Sequence, residues 1–294
     1  MSNIDSFEIE NKLDKVERQI EKRKRQCLYP ECEIHAINSH LLQRNGILNN
    51  VAEDGHVYEM RVVDAYYRRY TGPMTLRKVG IRQATSYPLF CSRHDSDLFK
   101  PIERRKIDFD DYQTQLLFSY RSLCSEIRKK EFCVEKFAIL PEGEDKFDFL
   151  LGTKLGLEDL RHYKLLFENE IDKPQNDFSF LHLSYPFIPI YASGPSTYFK
   201  LDETIVDCTE GVPNDQIVDN IFINLIPQKD SLEIIVGYNN NHTNNNIKRY
   251  VDSWKNLSKS QLFNKITDVF NYSLENWGMS PSFYEMLQNK NMID

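Results

Sequence analysis

The sequence lacks several features that would place it in a familiar class of protein. Its longest apolar runs, 185–191 and 221–226, are far shorter than the ~18–20 residues that a membrane-spanning helix needs. Six cysteines in 294 residues are too few for a disulfide scaffold. The first 19 residues contain no apolar stretch of the kind found in secretory signals. We therefore expect a cytoplasmic protein with reduced cysteines and no membrane partner.

The motifs of several large enzyme classes are also missing. The chain contains no Gly-x-Gly-x-x-Gly, no Walker A sequence, no Gly-x-Ser-x-Gly and no His-Glu-x-x-His. Their absence argues against a dinucleotide-binding enzyme, a P-loop nucleotidase, a serine hydrolase of the α/β type and a zincin protease. Hydrophobic residues nevertheless make up 40% of the chain, which is enough for a substantial buried core.

Charge is distributed unevenly along the chain. The whole sequence carries 37 basic and 44 acidic residues, a net charge of −7, yet residues 61–106 carry 11 basic and only 4 acidic residues. Such a basic island can bind a polyanion locally in an acidic protein, or it can pair with the acidic remainder. The residues that we expect to contact nucleic acid are Arg68, Arg69, Arg77, Lys78, Arg82 and Arg93.

Hydrophobic periodicity predicts an α+β protein. Helical spacing covers 6–26, 92–100, 108–137, 156–170, 247–257 and 260–274, with Ser258 as the N-cap of the last. Alternating or β-branched runs predict strands at 56–63, 178–183, 186–192, 222–226 and 232–238. We divide the chain into a charged helix (1–26), a metal module (27–106), a helical segment (107–175) and an α+β domain with antiparallel strands (176–294).

Two short pairs of cysteine and histidine predict a metal site. Cys27 and Cys32 flank a turn containing Pro30, and Cys91 and His94 lie three residues apart at the predicted start of a helix. Each pair can direct two ligands to one ion, and two pairs complete the tetrahedral shell of a structural zinc. The alternative is that the cysteines are small buried hydrophobic residues and that the histidine belongs to the core. The paired spacing favours zinc.

This arrangement resembles the treble-clef zinc module and, within that group, the zinc-bearing HNH (ββα-metal) endonucleases. The resemblance covers residues 27–103 and includes an SH…FCxxHDxxxFxPIE pattern, which also occurs in uncharacterised bacterial proteins: Ser39-His40, then Phe90-Cys91 to His94-Asp95, Phe99 and Pro101 to Glu103. The C-terminal half resembles nothing that we recognise. The pattern departs from the family in having Ser39 where a metal-binding Asp often stands, and in the 50 residues between His40 and Cys91.

The resemblance implies two catalytic positions. His40 would deprotonate water as a general base, and Asp95 would bind a catalytic Mg²⁺ or Mn²⁺ through its carboxylate. Other roles stay open at this point, because His40 could equally be a zinc ligand or a core histidine, and Asp95 could simply stabilise a helix N-terminus.

Two functions of different class follow. The first is a zinc protein that binds and cleaves nucleic acid, DNA in preference to RNA, with Mg²⁺ or Mn²⁺; a role in bacterial defence is an expectation by analogy only. The alternative is a non-enzymatic protein in which zinc stabilises the fold and the C-terminal domain binds a protein partner or a small ligand. Whether His40 and Asp95 lie together beside the zinc shell is the observation that separates the two functions.

Overall fold

A seven-stranded antiparallel sheet forms the centre of the computed structural model, which describes residues 15–16, 18–20, 22–62, 74–138 and 144–292. The strand order is β3-β2-β11-β6-β9-β10-β5. These strands are β2 (His56–Val62), β3 (Met74–Gly80), β5 (Phe178–Pro186), β6 (Ile190–Ser196), β9 (Ile221–Pro227), β10 (Ser231–Asn239) and β11 (Trp277–Met279). Thus the sheet takes two strands from the segment 27–106 and five from the segment 176–294.

In the described part of the chain, two two-stranded antiparallel sheets lie outside the main sheet. One pairs β1 (Asn38–His40) with β4 (Ser86–Pro88) and is called the β1–β4 hairpin below, although β2 and β3 lie between its strands in the sequence; the other pairs β7 (Tyr198–Leu201) with β8 (Thr204–Asp207). Apart from helical residues between 15 and 20, the helices of the described residues are α1 (Ser92–Leu98), α2 (Tyr112–Ala138), α3 (Glu144–Asp172), α4 (Asn245–Asp252), α5 (Lys259–Asp268) and α6 (Pro281–Asn289). Short 3₁₀ turns occur at Leu48–Asn50 and Lys100–Glu103, and a π turn follows α5 at Val269–Ser273.

Alternation along the strands gives the sheet two buried faces. In β9, Phe222 and Ile226 pack into the core shared with α2 and α3, whereas Ile221, Ile223 and Leu225 pack into the core beneath α4, α5 and α6. Both faces of β9 are buried, so its side chains are apolar on both sides except at Asn224, and this composition is why 222–226 could be predicted as a strand. The first of these cores also contains Cys27, Cys91 and the apolar residues around β1 and β4.

The α+β class and the antiparallel strands are confirmed. The Ser258 cap is present as a capping box with Gln261. Helix α3 begins twelve residues earlier than the predicted 156–170, because Gly152 and Gly156 interrupt the pattern without ending the helix. Of the predicted helix 6–26, residues 15–16 and 18–20 are helical and 22–26 are not; the other residues through 21 lie outside the described part.

None of the helices that the structure describes combines the length and the apolar composition required to cross a membrane.

A histidine on β5 contacts one carboxylate in the sheet and another in the loop before α2. His182 contacts Asp110 through Nδ1 and Glu233 of β10 through Nε2, each at 2.8 Å. The hydrogen bond to Glu233, aided by Asp110, outweighs burial and raises the pKa of His182. A histidine whose pKa is higher in the folded state than in the unfolded state contributes its full stabilisation when the pH is below the unfolded-state pKa. That stabilisation is lost as the pH rises through the folded-state pKa.

We therefore predict that His182→Ala destabilises the protein in a pH-dependent way. The loss in unfolding free energy should be about 1–2 kcal/mol at pH 5.5, because hydrogen bonds to charged partners contribute at this level and Asp110 is largely exposed. Urea titrations at pH 5.5 and pH 8.5 should show a smaller difference at the higher pH. The exposed His56 provides the control, since His56→Ala should change stability little at either pH. Equal losses at both values of pH for His182→Ala would contradict the assignment.

Candidate metal centre and its surroundings

Four side chains converge at the base of the β1–β4 hairpin. The ligand atoms of Cys27, Cys32, Cys91 and His94 all lie within 4.8 Å of one another. His94 Nδ1 is 3.4 Å from the Sγ atoms of both Cys27 and Cys91, and the Sγ atoms of Cys32 and Cys91 are 3.9 Å apart. The sulfurs are much too far apart for a disulfide, whose S–S bond is about 2.05 Å. This is the cluster that the two chelating pairs predict, and it can hold a metal ion.

Local backbone contacts position both pairs. Cys32 N–H bonds to the carbonyl of Tyr29, which closes the turn between the first two cysteines, and Tyr29 N–H points to Cys27 Sγ at 3.5 Å. Cys91 is the N-cap of α1, and His94 lies in the first turn of that helix. The Tyr29 ring stacks on the His94 imidazole with centroids 3.9 Å apart. The aromatic ring thus shields the histidine from solvent and restricts its orientation.

The distances between the ligands suit a tetrahedral ion. Bond lengths of about 2.3 Å to sulfur and 2.0–2.1 Å to nitrogen at tetrahedral angles require about 3.8 Å between two sulfurs and about 3.6 Å between sulfur and nitrogen. Three of the six separations between ligand atoms, 3.9 Å between two sulfurs and 3.4 Å for two sulfur–nitrogen pairs, lie close to these values, and all six are within 4.8 Å. Four protein ligands complete a closed shell, which is the arrangement of a structural rather than a catalytic site.

Burial by itself disfavours the thiolate form of the cysteines in this cluster. Loss of solvent raises the pKa of Cys27 to about 11. Burial also opposes ionisation of Cys91, but the backbone N–H groups of His94 and Arg93 and the two other thiols outweigh it and lower the pKa of Cys91. Since thiolate is the form that binds metal, a bound cation would supply the charge compensation that this site otherwise takes from hydrogen bonds.

His40 lies at the end of β1, outside the four-residue cluster. It is half-buried, and its Nε2 donates to the backbone carbonyl of Ile81 at 3.2 Å. A carbonyl can only accept, so the proton of the neutral ring is on Nε2 and the lone pair is on Nδ1. Burial, followed by the charges of Arg44 and Arg121, lowers the pKa of His40. These effects favour the neutral form of the ring.

Asp95 follows His94 in α1 and pairs with a buried arginine. Arg121 of α2 is 1% exposed, and its Nη2 lies 2.9 Å from carboxylate oxygens of both Asp95 and Glu103. The guanidinium also lies over the Phe99 ring, 4.4 Å from its centroid. Arg121 thus contacts Asp95 directly and also lowers the pKa of His40. Both candidate catalytic residues are within the electrostatic reach of one guanidinium, and neither belongs to the metal cluster.

Of the six basic residues that the sequence grouped together, the structure describes four, and these four do not share one surface. Arg77 and Arg82 line one open pocket. Lys78 lies on the opposite face of β3, where its charge acts on Glu53. The Nη2 atom of Arg93 lies 2.8 Å from Nε2 of the His94 ring. Arg68 and Arg69 lie outside the described residues.

Three residues of this region were missed in the sequence: Arg121, Arg61 and Asn38. Arg121 belongs to the apolar face of a long helix, where the surrounding hydrophobic pattern hides a charged side chain. Arg61 was counted in the basic island but not as a site residue, and Asn38 carries no motif of its own. One residue separates Asn38 from His40, which places both on the same side of a strand. This spacing is the one sequence signal that could have suggested Asn38 as a site residue.

Comparisons with known proteins give no relative for this chain. No family model matches it, and neither a curated protein nor a solved structure is significantly similar to it. The function must therefore be inferred from the site itself.

Proposed function

We propose that Cys27, Cys32, Cys91 and His94 bind one structural zinc ion, and that the hairpin beside it carries a nucleic-acid-cleaving site of the HNH type. The observation that carries the proposal is the order of elements around the cluster. A cysteine turn precedes β1, β1 pairs with β4, and α1 follows at once with the second ligand pair. The 45 residues between β1 and β4 form an insertion that leaves this hairpin intact.

Zinc is the metal that suits the donors best. Three thiolates and one imidazole form a soft set, and Cys₃His is a common tetrahedral zinc shell. When bound, zinc would join the turn before β1 to the start of α1, which are separated by more than fifty residues of chain. Its role would be to stabilise the hairpin and helix that carry His40 and Asp95.

The neutral His40 ring supports the proposed role of general base. Its Nε2 proton is fixed by the Ile81 carbonyl, so Nδ1 is the atom that can accept a proton from water. A base with a pKa near or just below the working pH is unprotonated in most molecules and can still take up the proton.

Asp95 is the second member of the proposed site. One of its oxygens, Oδ1, accepts from Arg121, and a carboxylate has two oxygens with several lone pairs. Oδ2 would bind Mg²⁺ or Mn²⁺, which prefer carboxylate ligands. When bound, the metal would neutralise negative charge on the reacting phosphate.

Cleavage assays on the purified protein test the proposal. The protein should carry one zinc per chain and should nick or cut nucleic acid when Mg²⁺ or Mn²⁺ is added, with DNA as the preferred substrate. Asp95→Ala should remove cleavage and keep the zinc, whereas Asp97→Ala, which changes an exposed carboxylate on the same helix, should keep both. Absence of cleavage on single- and double-stranded DNA and RNA with both ions would reject the enzyme and favour a non-catalytic zinc protein that binds a partner.

A further inference from the structure

An open pocket lies between the β2–β3 hairpin and the β1–β4 hairpin. Its volume is about 410 Å³, and its described lining consists of Asn38, Arg61, Arg77, Val79, Arg82, Gln83 and Ser86. Three of these seven residues are arginines and none is acidic, in a chain whose net charge is −7. The remaining polar groups are amides and a hydroxyl, which can donate hydrogen bonds to an anion.

Strand register explains why two of the arginines share a face. Arg61 pairs with Thr75, and Arg77 pairs with Glu59, in the antiparallel β2–β3 ladder. Residues opposite each other project to the same side, and side chains two apart along a strand do likewise. Arg61 and Arg77 therefore project to the same side of the hairpin as Val57 and Val79, which pack with the core that contains Cys27 and Cys91, while Lys78 projects to the other side.

An ion pair and a hydrogen bond fix the position of the Arg61 guanidinium. Its Nη2 lies 2.7 Å from Glu59 Oε1 and donates to the carbonyl of Gln83, also at 2.7 Å. The other oxygen of Glu59 accepts from Tyr191 O–H and from the backbone N–H of Thr85. Glu59 is 2% exposed, so this network fixes both the arginine and the loop that carries Arg82. Arg61 Nε is buried and has no hydrogen-bond partner among the described residues.

The pocket is adjacent to the proposed catalytic base. Asn38 and His40 are the two ends of β1, and Ser86 pairs with His40 across the hairpin. His40 also donates to Ile81, the residue before Arg82. A ligand seated among the three arginines would therefore contact the strand and the loop that hold the histidine.

We propose that this arginine pocket, made by Asn38, Arg61, Arg77 and Arg82, binds a phosphate group, and specifically a backbone phosphodiester of a nucleic-acid strand. Planar guanidinium groups match the oxygens of a phosphate and bind them in pairs. Because Glu59 and the Gln83 carbonyl already hold the Arg61 side chain, this arginine loses little side-chain entropy on binding. The assignment of a nucleic-acid substrate rests on the proposed function, whereas the phosphate chemistry rests on the pocket alone. The pocket positions substrate and takes no part in bond breaking.

Equilibrium binding without added divalent ions tests the pocket separately from cleavage. Fluorescence anisotropy with a labelled 20-nucleotide strand and with a duplex would compare the unchanged protein with Arg77→Ala, Arg82→Ala and the double variant. Arg105→Ala is the matched control, because Arg105 is exposed and belongs to the same basic island but does not line the pocket. Unchanged zinc content and thermal unfolding would show that each variant is folded.

Each pocket variant should weaken binding at least about tenfold, and the double variant more, since each lost guanidinium removes charge-assisted hydrogen bonds to the phosphate. The slope of log affinity against log salt should fall by about 1 for each lost phosphate contact. Arg105→Ala should have a much smaller effect. A loss for Arg105→Ala as large as for the pocket variants, or no loss for the double variant, would overturn the pocket in favour of a diffuse electrostatic surface.

Competition with inorganic phosphate and with a mononucleotide identifies the source of the phosphate. If the strand binds with the predicted dependence on Arg77 and Arg82, and millimolar competitors displace it weakly, the phosphodiester assignment is supported. Binding of a mononucleotide but not of any strand would overturn it. Pocket-dependent strand binding by a protein that cleaves nothing would reject the proposed nuclease and leave the phosphate site standing.

Discussion

Replacing Cys91 by Ser should abolish stoichiometric metal binding and unfold the N-terminal part of the chain. Cys91 is 2% exposed and contacts both Cys32 and His94. In small zinc domains the metal contributes about 10–16 kcal/mol of apparent binding free energy, and this is folding free energy because the unfolded chain has no preformed site. A serine hydroxyl cannot replace a thiolate at this position. The variant should therefore lose more stability than any other single substitution considered for this protein.

The measurements are zinc content of the purified protein and amide hydrogen exchange. We expect one zinc per chain in the unchanged protein and almost none in Cys91→Ser, with loss of protection across residues 27–103. Cys133→Ser is the control, because Cys133 lies half-buried on α2, outside the cluster. Retention of zinc and of protection in Cys91→Ser would contradict the four-ligand site. A chelator added to the unchanged protein should reproduce the loss, and added zinc should reverse it.

The cluster could be predicted from the sequence because its pairs are local. A turn of four residues and a helical step of three each place two ligands together without any knowledge of the fold. What the sequence could not supply was the pairing of β1 with β4 across a long insertion. That pairing brings the two halves of the cluster together, and it depends on contacts between residues far apart in the chain.

The extent of the central sheet was also beyond prediction. β11 has only three residues, and it joins β2 to β6 through pairs such as Gly278 with Glu59. Three residues are too short to show a period. Without β11, the hairpin at 56–80 and the C-terminal strands look like parts of separate units. A single short strand therefore makes one sheet from segments that composition and periodicity keep apart.

Buried charges illustrate a further limit of sequence patterns. Arg121 lies among apolar residues of α2, and Glu59 occupies a polar position in the alternating sequence of β2 and is nevertheless buried. A pattern of hydrophobic and polar residues cannot show that Arg121 is paired with Asp95 and Glu103, since these partners come from elements that precede it by some twenty residues. These charged side chains can be buried because each has a charged partner. The partners are brought together only when the chain is folded.

His40→Ala should remove cleavage while leaving zinc and fold in place. A general base contributes about 10²–10⁴-fold to a reaction rate, and the side chain lies outside the cluster that binds the metal. Because burial and neighbouring positive charges lower the pKa of His40, the rate should rise with pH to a plateau whose midpoint lies below about 6.5, the ordinary value for histidine. The measurement is the single-turnover cleavage rate from pH 5 to pH 8.

A second substitution separates a base from a structural histidine. His40→Gln keeps an N–H donor for the Ile81 carbonyl but has no group that can take up a proton near neutral pH. If His40 is the base, His40→Gln should be as inactive as His40→Ala; if its hydrogen bond to Ile81 is what matters, His40→Gln should recover activity. The exposed His56 is the control, and His56→Ala should cleave at the normal rate. Loss of zinc from His40→Ala would instead identify a metal ligand and contradict the four-residue shell. Because the three roles predict different combinations of zinc content, stability and rate, these two variants decide between them.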